Sequence, residues 1–140
     1  MANQEHLYFL LNSDAARWNH WKLVNSQIQL DFSNAELREI QLTEKDLSGA
    51  NFSNADLRGA NLSAANLSYA NLAGADLSQV WLSIPPNPDR LDNLTGEAYD
   101  LKPVDLSNAN LTGANLAGAN LTGVKLWKTV MPNGEIKFNY

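Results

Sequence analysis

The sequence predicts an all-β solenoid, a fold in which short segments stack as successive coils around an apolar interior. Two observations predict it: a tandem five-residue repeat, and a large apolar residue at every fifth position. The repeat reads DLRGA, NLSAA, NLSYA, NLAGA, DLSQV from Asp56 and returns as DLSNA, NLTGA, NLAGA, NLTGV from Asp105. The large apolar positions are Phe32, Leu37, Leu42, Leu47, Phe52, Leu57, Leu62, Leu67, Leu72, Leu77 and Leu82, then, in shifted register, Leu101, Leu106, Leu111, Leu116, Leu121 and Leu126. Because internal repetition decides architecture before local propensity does, the repeat sets the fold class.

A period of five fits neither regular element, since helices repeat their apolar face every 3.6 residues and strands every 2. Small residues lie mostly two positions before the large ones: Ala35, Ala50, Ala55, Ala60, Ala65, Ala70, Ala75, Ala109, Ala114 and Ala119. Each pentapeptide is therefore interpreted as one short side of a coil. It turns at its Gly, Asn or Ser and points one large and one small residue inward.

These repeats resemble the pentapeptide-repeat family, whose consensus is A(D/N)LXX, and in particular its bacterial, cyanobacterial-type members. The resemblance is close over residues 48–82 and 104–126 and looser over 28–47. It implies a right-handed quadrilateral β-helix with four pentapeptides per coil, so that residues 20 apart stack on one another. At that size the repeats supply about four coils, with neighbouring coils at the spacing of paired strands.

Stacking at this interval makes specific pairs testable. Phe32 lies 20 residues before Phe52, so the two aromatic side chains are expected to stack. One ladder of acids, Glu36, Asp56 and Asp76, is expected to be compensated by a neighbouring ladder of bases, Arg38 and Arg58. If residues 83–100 loop out and Leu101 resumes the pattern, Leu106 stacks on Leu72.

The inward rows are expected to supply the stability. The predicted structural core is Phe32, Phe52, Leu57, Leu67, Leu72, Leu111 and Leu116. Lys45 conflicts with the pattern, because it occupies an inward position that should hold a small apolar residue, and burying an unpaired ammonium is costly. Either the coil is bulged there and Lys45 reaches solvent, which is the favoured interpretation, or Lys45 lines a genuine site.

The chain is predicted to be a single domain, residues 1–140, because one repeat pattern occupies most of its length. Its parts are a helical cap (1–27), a first repeat run (28–82), a proline-rich loop (83–100), a second run (101–126) and a C-terminal cap (127–140). In the first cap, Ser13 or Asn12 is expected to begin a second helix. Trp18 and Trp21, three residues apart, are expected to cover the first coil rather than stack on a ligand. Asn133 and Gly134 predict a hairpin in the C-terminal tail.

The loop contains Pro85, Pro86 and Pro88, which lack backbone donors and cannot continue a coil. Loops on rigid scaffolds often carry contact residues, and the candidates here are Asp89, Arg90, Asp92 and Tyr99. An inert insertion is the alternative, since surface loops tolerate added length.

Composition limits the function further. A net charge of −5 and a pI near 4.8, without any cluster of Lys and Arg, argue against direct nucleic-acid binding or binding to an anionic membrane. The longest apolar run, Leu7 to Leu11, is far too short for a membrane helix, and the expected location is the cytoplasm. There is no cysteine, and His6 and His20 lack a nucleophile or ligand set around them. We therefore expect no catalytic residues, no metal site and no cofactor, and the many serines are interpreted as turn residues.

The sequence thus favours a non-enzymatic structural or protein-interaction module, with an unknown protein partner and a monomeric state if the caps seal the ends. The alternative comes from the resemblance: some members of the family mimic duplex DNA and modulate a type II topoisomerase. The outward positions of the second run carry mostly Asn, Ser, Thr and Gly, which speaks against a continuous phosphate-like track.

Overall fold

A computed structural model describes residues 2–82 and 103–139 of the chain. The named elements are two helices, α1 (Gln4–Asn12) and α2 (Ala15–Val24), and two short strands, β1 (Thr129–Val130) and β2 (Ile136–Lys137). Between the helices and the strands, the chain is organised by isolated parallel bridges. None of the helices in the described ranges has the length and apolar character needed to cross a membrane.

The bridges form four ladders, and within the first run each links a residue to the one 20 positions later. This is the interval that the resemblance to the pentapeptide-repeat family implies. The ladders are Asp31–Asn51–Asn71–Asn110–Val130, Glu36–Asp56–Asp76–Asn115, Gln41–Asn61–Trp81 and Asp46–Asn66–Asp105–Lys125.

Each pentapeptide turns at its fourth residue, which adopts a positive φ. Glycine supplies this conformation without strain at Gly49, Gly59 and Gly74, with φ values of 71°, 68° and 70°. The chain turns a corner of the coil between the large apolar residue and the small one. Both therefore point inward, because they flank the same corner.

The interior is formed by these two rows. Phe32, Phe52, Leu57, Leu67, Leu72 and Leu111 are at most 1% exposed. The rings of Phe32 and Phe52 lie with their centroids 5.2 Å apart, which confirms that residues 20 apart stack. Leu116, also predicted as core, is only half-buried against the cluster, because it lies in the last rung, with less of the chain above it.

The register after the loop differs from the predicted one. Asn66 pairs with Asp105 and Asn71 pairs with Asn110, 39 residues later instead of 20. Leu106 therefore follows Leu67 in its stack rather than Leu72, and the prediction for Leu106 was wrong by one pentapeptide. In a rung starting at residue 100, Pro103 would occupy the fourth position, where φ must be positive, and proline fixes φ near −65°. Leu101 itself lies outside the described residues.

The helical cap is fastened to the first coil by both apolar and polar contacts. Trp18 is fully buried, its ring lies 6.2 Å from that of Phe32, and its indole N–H donates to the carbonyl of Asp46 at 2.8 Å. Phe9 and Trp21 extend this cluster, with centroids 5.4 Å apart. The predicted placement of the two tryptophans over the first coil is confirmed. The residue that begins α2, however, is Asp14, whose carboxylate accepts from the amide of Arg17, and not Ser13 or Asn12.

Lys45 joins the cap to the coil. Its side chain is 5% exposed, and its ammonium donates to the carbonyl oxygens of Leu10 and Ser13 at 2.9 and 2.8 Å. The last carbonyls of a helix have no intrahelical partner, so the ammonium satisfies the end of α1. Burial lowers the pKa of Lys45, with the nearby Asp14 carboxylate opposing the shift. The favoured interpretation, a bulge that releases Lys45 to solvent, was wrong, because Gln41 and Asp46 on either side keep their bridges.

The C-terminal tail forms the predicted hairpin. β1 and β2 pair antiparallel, with Thr129 opposite Lys137 and Val130 opposite Ile136. The hydroxyl of buried Thr129 donates to the carbonyl of Leu106 at 2.7 Å, which ties the hairpin to the coil below it. Ile136 and Phe138, by contrast, are 51% and 58% exposed, so the tail covers only part of the last rung.

Candidate interaction surface

The four residues predicted to contact a partner, Asp89, Arg90, Asp92 and Tyr99, all lie outside the described residues. Their role stays a prediction. The surface that the structure does describe consists of the outward positions of the repeat.

These outward positions are held by the turn chemistry of the repeat. The Oδ1 atom of the Asp or Asn accepts the backbone N–H two residues later, at 3.0 Å in Asn51, Asn61 and Asn71. Either residue type serves because only the oxygen is used. The serine hydroxyls of Ser48 and Ser78 donate to the equivalent Oδ1 atoms of Asp46 and Asp76 at 2.7 Å, which confirms that these serines belong to the turns. The backbone that displays the outward side chains is thus fixed locally, before any partner binds.

One corner of the repeat differs from the others because it carries an exposed tyrosine. It comprises Gly49, Tyr69, Asn108 and Lys128, and we call it the Tyr69 corner. Tyr69 is 69% exposed and has a φ of 62°. Eight other non-glycine residues in the described ranges share this positive φ, Glu39 and Gln79 among them, so what sets Tyr69 apart is its exposed aromatic side chain. The signal was present in the sequence, because Tyr69 occupies the turn position that Gly holds in several other repeats.

The backbone of the Tyr69 corner is well fastened. The amide of Tyr69 donates to the carbonyl of Ser107 at 2.9 Å, and the amide of Asn108 donates to the carbonyl of Trp127 at 2.9 Å. Lys128 is exposed at one end of the corner. At the other end Lys22 reaches Ser48, next to Gly49, with its ammonium 3.4 Å from the hydroxyl. The corner therefore has a lysine near each of its ends, with Lys22 beside the rung before Tyr69 and Lys128 two rungs after it.

The charged ladder lies on another face. Asp56 contacts Arg58 at 2.7 Å and Arg38 at 3.1 Å, and Arg58 also lies 3.7 Å from Asp76. Hydrogen bonding from Arg58, with the charge of Arg38 adding to it, lowers the pKa of Asp56 to about 2. The predicted compensation of acids by bases is confirmed at this position. The next residue in the ladder after Asp76 is the uncharged Asn115.

The cap holds both histidines, His6 in α1 and His20 in α2. The ring of His6 packs against Trp21, with centroids 5.7 Å apart. Within residues 2–82 and 103–139, no group of three or more His, Asp or Glu side chains is placed to hold a metal ion.

A family model for pentapeptide repeats matches residues 46–83 and 100–131 with eight copies, which is half of the chain. The chain belongs to the pentapeptide-repeat family. Members of this family fold as right-handed quadrilateral β-helices, in agreement with the four bridge ladders. Among curated proteins, no match is found.

Solved pentapeptide-repeat structures resemble this family member. HetL, involved in heterocyst differentiation regulation in the cyanobacterium Nostoc sp. strain PCC 7120, is 27% identical over 77% of this chain, with a TM-score of 0.53. The chain spans about half of HetL, 52% of its length. A second protein of the family from Nostoc PCC 7120 is 32% identical, covering 81% of this chain and 74% of its own, with a TM-score of 0.39. One from the thylakoid lumen of Arabidopsis thaliana is 29% identical, covering 69% and 61%, with a TM-score of 0.27.

Proposed function

We propose that this pentapeptide-repeat protein is a non-enzymatic interaction module that binds a protein partner at the Tyr69 corner. The observation that carries the proposal is Tyr69 itself, an exposed aromatic side chain on a turn whose backbone amide is hydrogen-bonded to the next rung. Tyrosine is enriched among the residues that dominate interface energies, because it buries a large area at a low cost in side-chain entropy. The flanking Lys22 and Lys128 favour a partner surface that carries carboxylates.

The scaffold suits this role. We propose a single domain of about four coils, monomeric and cytoplasmic, in which the helical cap prevents end-to-end association. A surface that is rigid before binding loses little conformational freedom on binding, which favours affinity. HetL is involved in the regulation of heterocyst differentiation. A contact with a regulatory protein is one form that the proposed interaction can take.

The test uses Tyr69→Asn. Asparagine tolerates a positive φ, so the variant should be as stable as the wild type or up to about 1 kcal/mol more stable. The variant should nevertheless no longer bind the protein partner. An aromatic photo-crosslinking residue, which keeps a phenyl ring at position 69, should capture a discrete protein from native lysate. The same residue at position 54, another exposed turn position with a positive φ, is the matched control.

A crosslink that forms equally from positions 69 and 54, or a partner that Tyr69→Asn still binds with wild-type affinity, contradicts the proposal. A second variant replaces residues 85–99, including Asp89, Arg90, Asp92 and Tyr99, by a short Gly/Ser linker. Loss of the partner in this variant alone would assign the contact to the loop instead of the Tyr69 corner.

The alternative function, mimicry of duplex DNA toward a type II topoisomerase, requires a continuous track of unpaired negative charge. The paired state of Asp56 and the neutral Asn115 in the same ladder do not favour it. A topoisomerase captured by the crosslinking residue at position 69 would support this alternative function.

A further inference from the structure

A second surface with an unusual residue composition lies on the side of the molecule that carries the bridge ladder Gln41–Asn61–Trp81. There a groove of about 450 Å³ is lined by Glu39, Gln41, Gly59, Asn61, Gln79 and Trp81. Its volume lies within the range of small-molecule sites, about 300 to 1,000 Å³. The six residues form three rungs of two, because 39, 59 and 79 occupy successive turns and 41, 61 and 81 form one bridge ladder.

Trp81 gives the groove its apolar wall. It stands where most other repeats place Asp or Asn, and the indole cannot supply the acceptor oxygen that closes the turn there. The side chain is 48% exposed. Its backbone is held to the preceding rung by two hydrogen bonds, since the amide of Trp81 donates to the carbonyl of Ala60 at 2.9 Å and its carbonyl accepts from the amide of Leu62 at 2.8 Å. An aromatic face is thus presented to solvent on a rigid rung.

The rest of the groove is polar, and most of its side-chain donors and acceptors have no hydrogen-bond partner in the described part of the chain. In the described part of the chain, the side-chain ends of Glu39, Gln41 and Gln79 make no hydrogen bond. Asn61 uses its oxygen for the amide of Ser63 and keeps its NH₂ group free. Amide and carboxylate groups together offer both donors and acceptors. Among the described residues that line the groove, Glu39 alone is charged, and its carboxylate disfavours an anionic ligand.

We propose that this groove binds a neutral saccharide. A sugar ring has an apolar face that stacks on an indole, and its hydroxyl groups each donate and accept, which matches the free amides and Glu39. Successive rungs are roughly 4.8 Å apart, about the length of one sugar ring, so neighbouring rungs can contact neighbouring rings. Gly59 leaves the middle rung without a side chain between Glu39 and Gln79. A Cβ there would lie 3.3 Å from Cγ of Glu39.

The test titrates the full chain separately with cellotetraose, maltotetraose and tetra-N-acetylchitotetraose, following the indole N–H resonance of Trp81 by NMR. At least one of the three should shift this resonance in a saturable manner. Trp81→Ala, followed by calorimetry, and Gly59→Asn should each weaken that binding by about tenfold or more, equivalent to ~1.4 kcal/mol. Asparagine fits the positive φ at position 59, so the groove can be filled without unfolding the chain.

The matched controls are Tyr8→Ala, another exposed aromatic residue, and Gly123→Asn, another turn glycine with open space around it. Both should bind the saccharide within about twofold of the wild type, a difference well below 1.4 kcal/mol. The proposal is overturned if none of the three saccharides shifts the Trp81 resonance, or if all four variants weaken binding equally. It is also overturned if an extended lysine- and proline-containing peptide shifts the resonance and no saccharide does.

Discussion

The two ends of the repeat are closed in different ways. At the N-terminal end, two helices cover the first coil, and Trp18, Leu10 and Lys45 are all at most 5% exposed. At the C-terminal end, a hairpin of two-residue strands covers one side of the last rung, while Leu116 and Leu121 stay half-buried. The same five-residue unit therefore has different surroundings at its two ends. The burial of each unit depends on what stacks on it rather than on its own residues.

This difference bears on where a binding surface can be rigid. In a solenoid each coil contacts only its neighbours, so local stability follows the local stack. Tyr69 lies between Asn66 and Asn71, which are bridged to rungs on either side, whereas Trp81 is the last bridged residue of its ladder in the described part of the chain and pairs with Asn61. Their side chains are displayed from the part of the repeat that does not depend on the hairpin.

The largest expected effect separates the two ends directly. Trp18→Ala removes a fully buried ring and should lower the free energy of unfolding by about 3 to 5 kcal/mol. Trp127→Ala, at the hairpin, should cost only about 1 to 2 kcal/mol, because Trp127 is half-buried and packs against the exposed Phe138. Chemical denaturation of both variants measures the difference. Equal losses would remove the distinction between the ends.

A second pair compares the middle with the last rung. Leu67→Ala should cost about 2 to 5 kcal/mol, since Leu67 is 1% exposed between two neighbouring rungs. Leu116→Ala should cost about 1 to 2 kcal/mol, because part of its surface is already in water. Chemical denaturation of the two leucine variants measures the difference in their free energies of unfolding. A larger loss at Leu116 would mean that the last rung is sealed after all.

Lys45 tests the polar fastening of the cap. Lys45→Met keeps the volume but leaves the carbonyls of Leu10 and Ser13 without a donor, and it should cost about 1 to 3 kcal/mol. Lys22→Met, at the longer contact of 3.4 Å to Ser48, is the control and should change stability by less than about 0.5 kcal/mol. Buried charges sometimes cost more than they contribute. A stabilised Lys45→Met would therefore mean that the ammonium does not hold the cap.

The period of five predicts the inward rows, and the resemblance to the pentapeptide-repeat family, with its four pentapeptides per coil, adds the interval of 20 and with it the aromatic stack of Phe32 on Phe52. Lys45 could not be placed from the sequence, since its partners are carbonyls of α1 that a repeat pattern does not locate. The register of Leu106 was predictable in principle, because Pro103 cannot adopt the positive φ of a turn. Tyr69 and Trp81 are visible as departures from the repeat. Their exposure, and the groove around Trp81, depend on the stacking of three successive rungs.

The smallest effect concerns the charged ladder, which belongs to neither end. The pKa of Asp56 is lowered from 3.8 to about 2, so its ion pairs stabilise the fold above pH 3.8 and this contribution is lost as the pH falls toward 2. Because the partners are partly exposed, the contribution should be about 1 kcal/mol or less. The stability difference between wild type and Asp56→Asn should disappear over that pH range. A difference that persists at pH 2 would assign it to the hydrogen bonds of the turn.

Amide hydrogen exchange, measured residue by residue by NMR, tests the unequal closure of the two ends most directly. The backbone amides of Phe52 and Leu57, which donate to the next rung at 2.7 and 2.8 Å, should exchange at rates near the limit set by global unfolding. The amides of Lys125 and Leu126, in the last rung and beside the hairpin, should exchange faster by at least about tenfold, equivalent to ~1.4 kcal/mol in opening free energy. Uniform protection along the repeat, or slower exchange at Lys125 and Leu126 than at Phe52 and Leu57, would contradict this account.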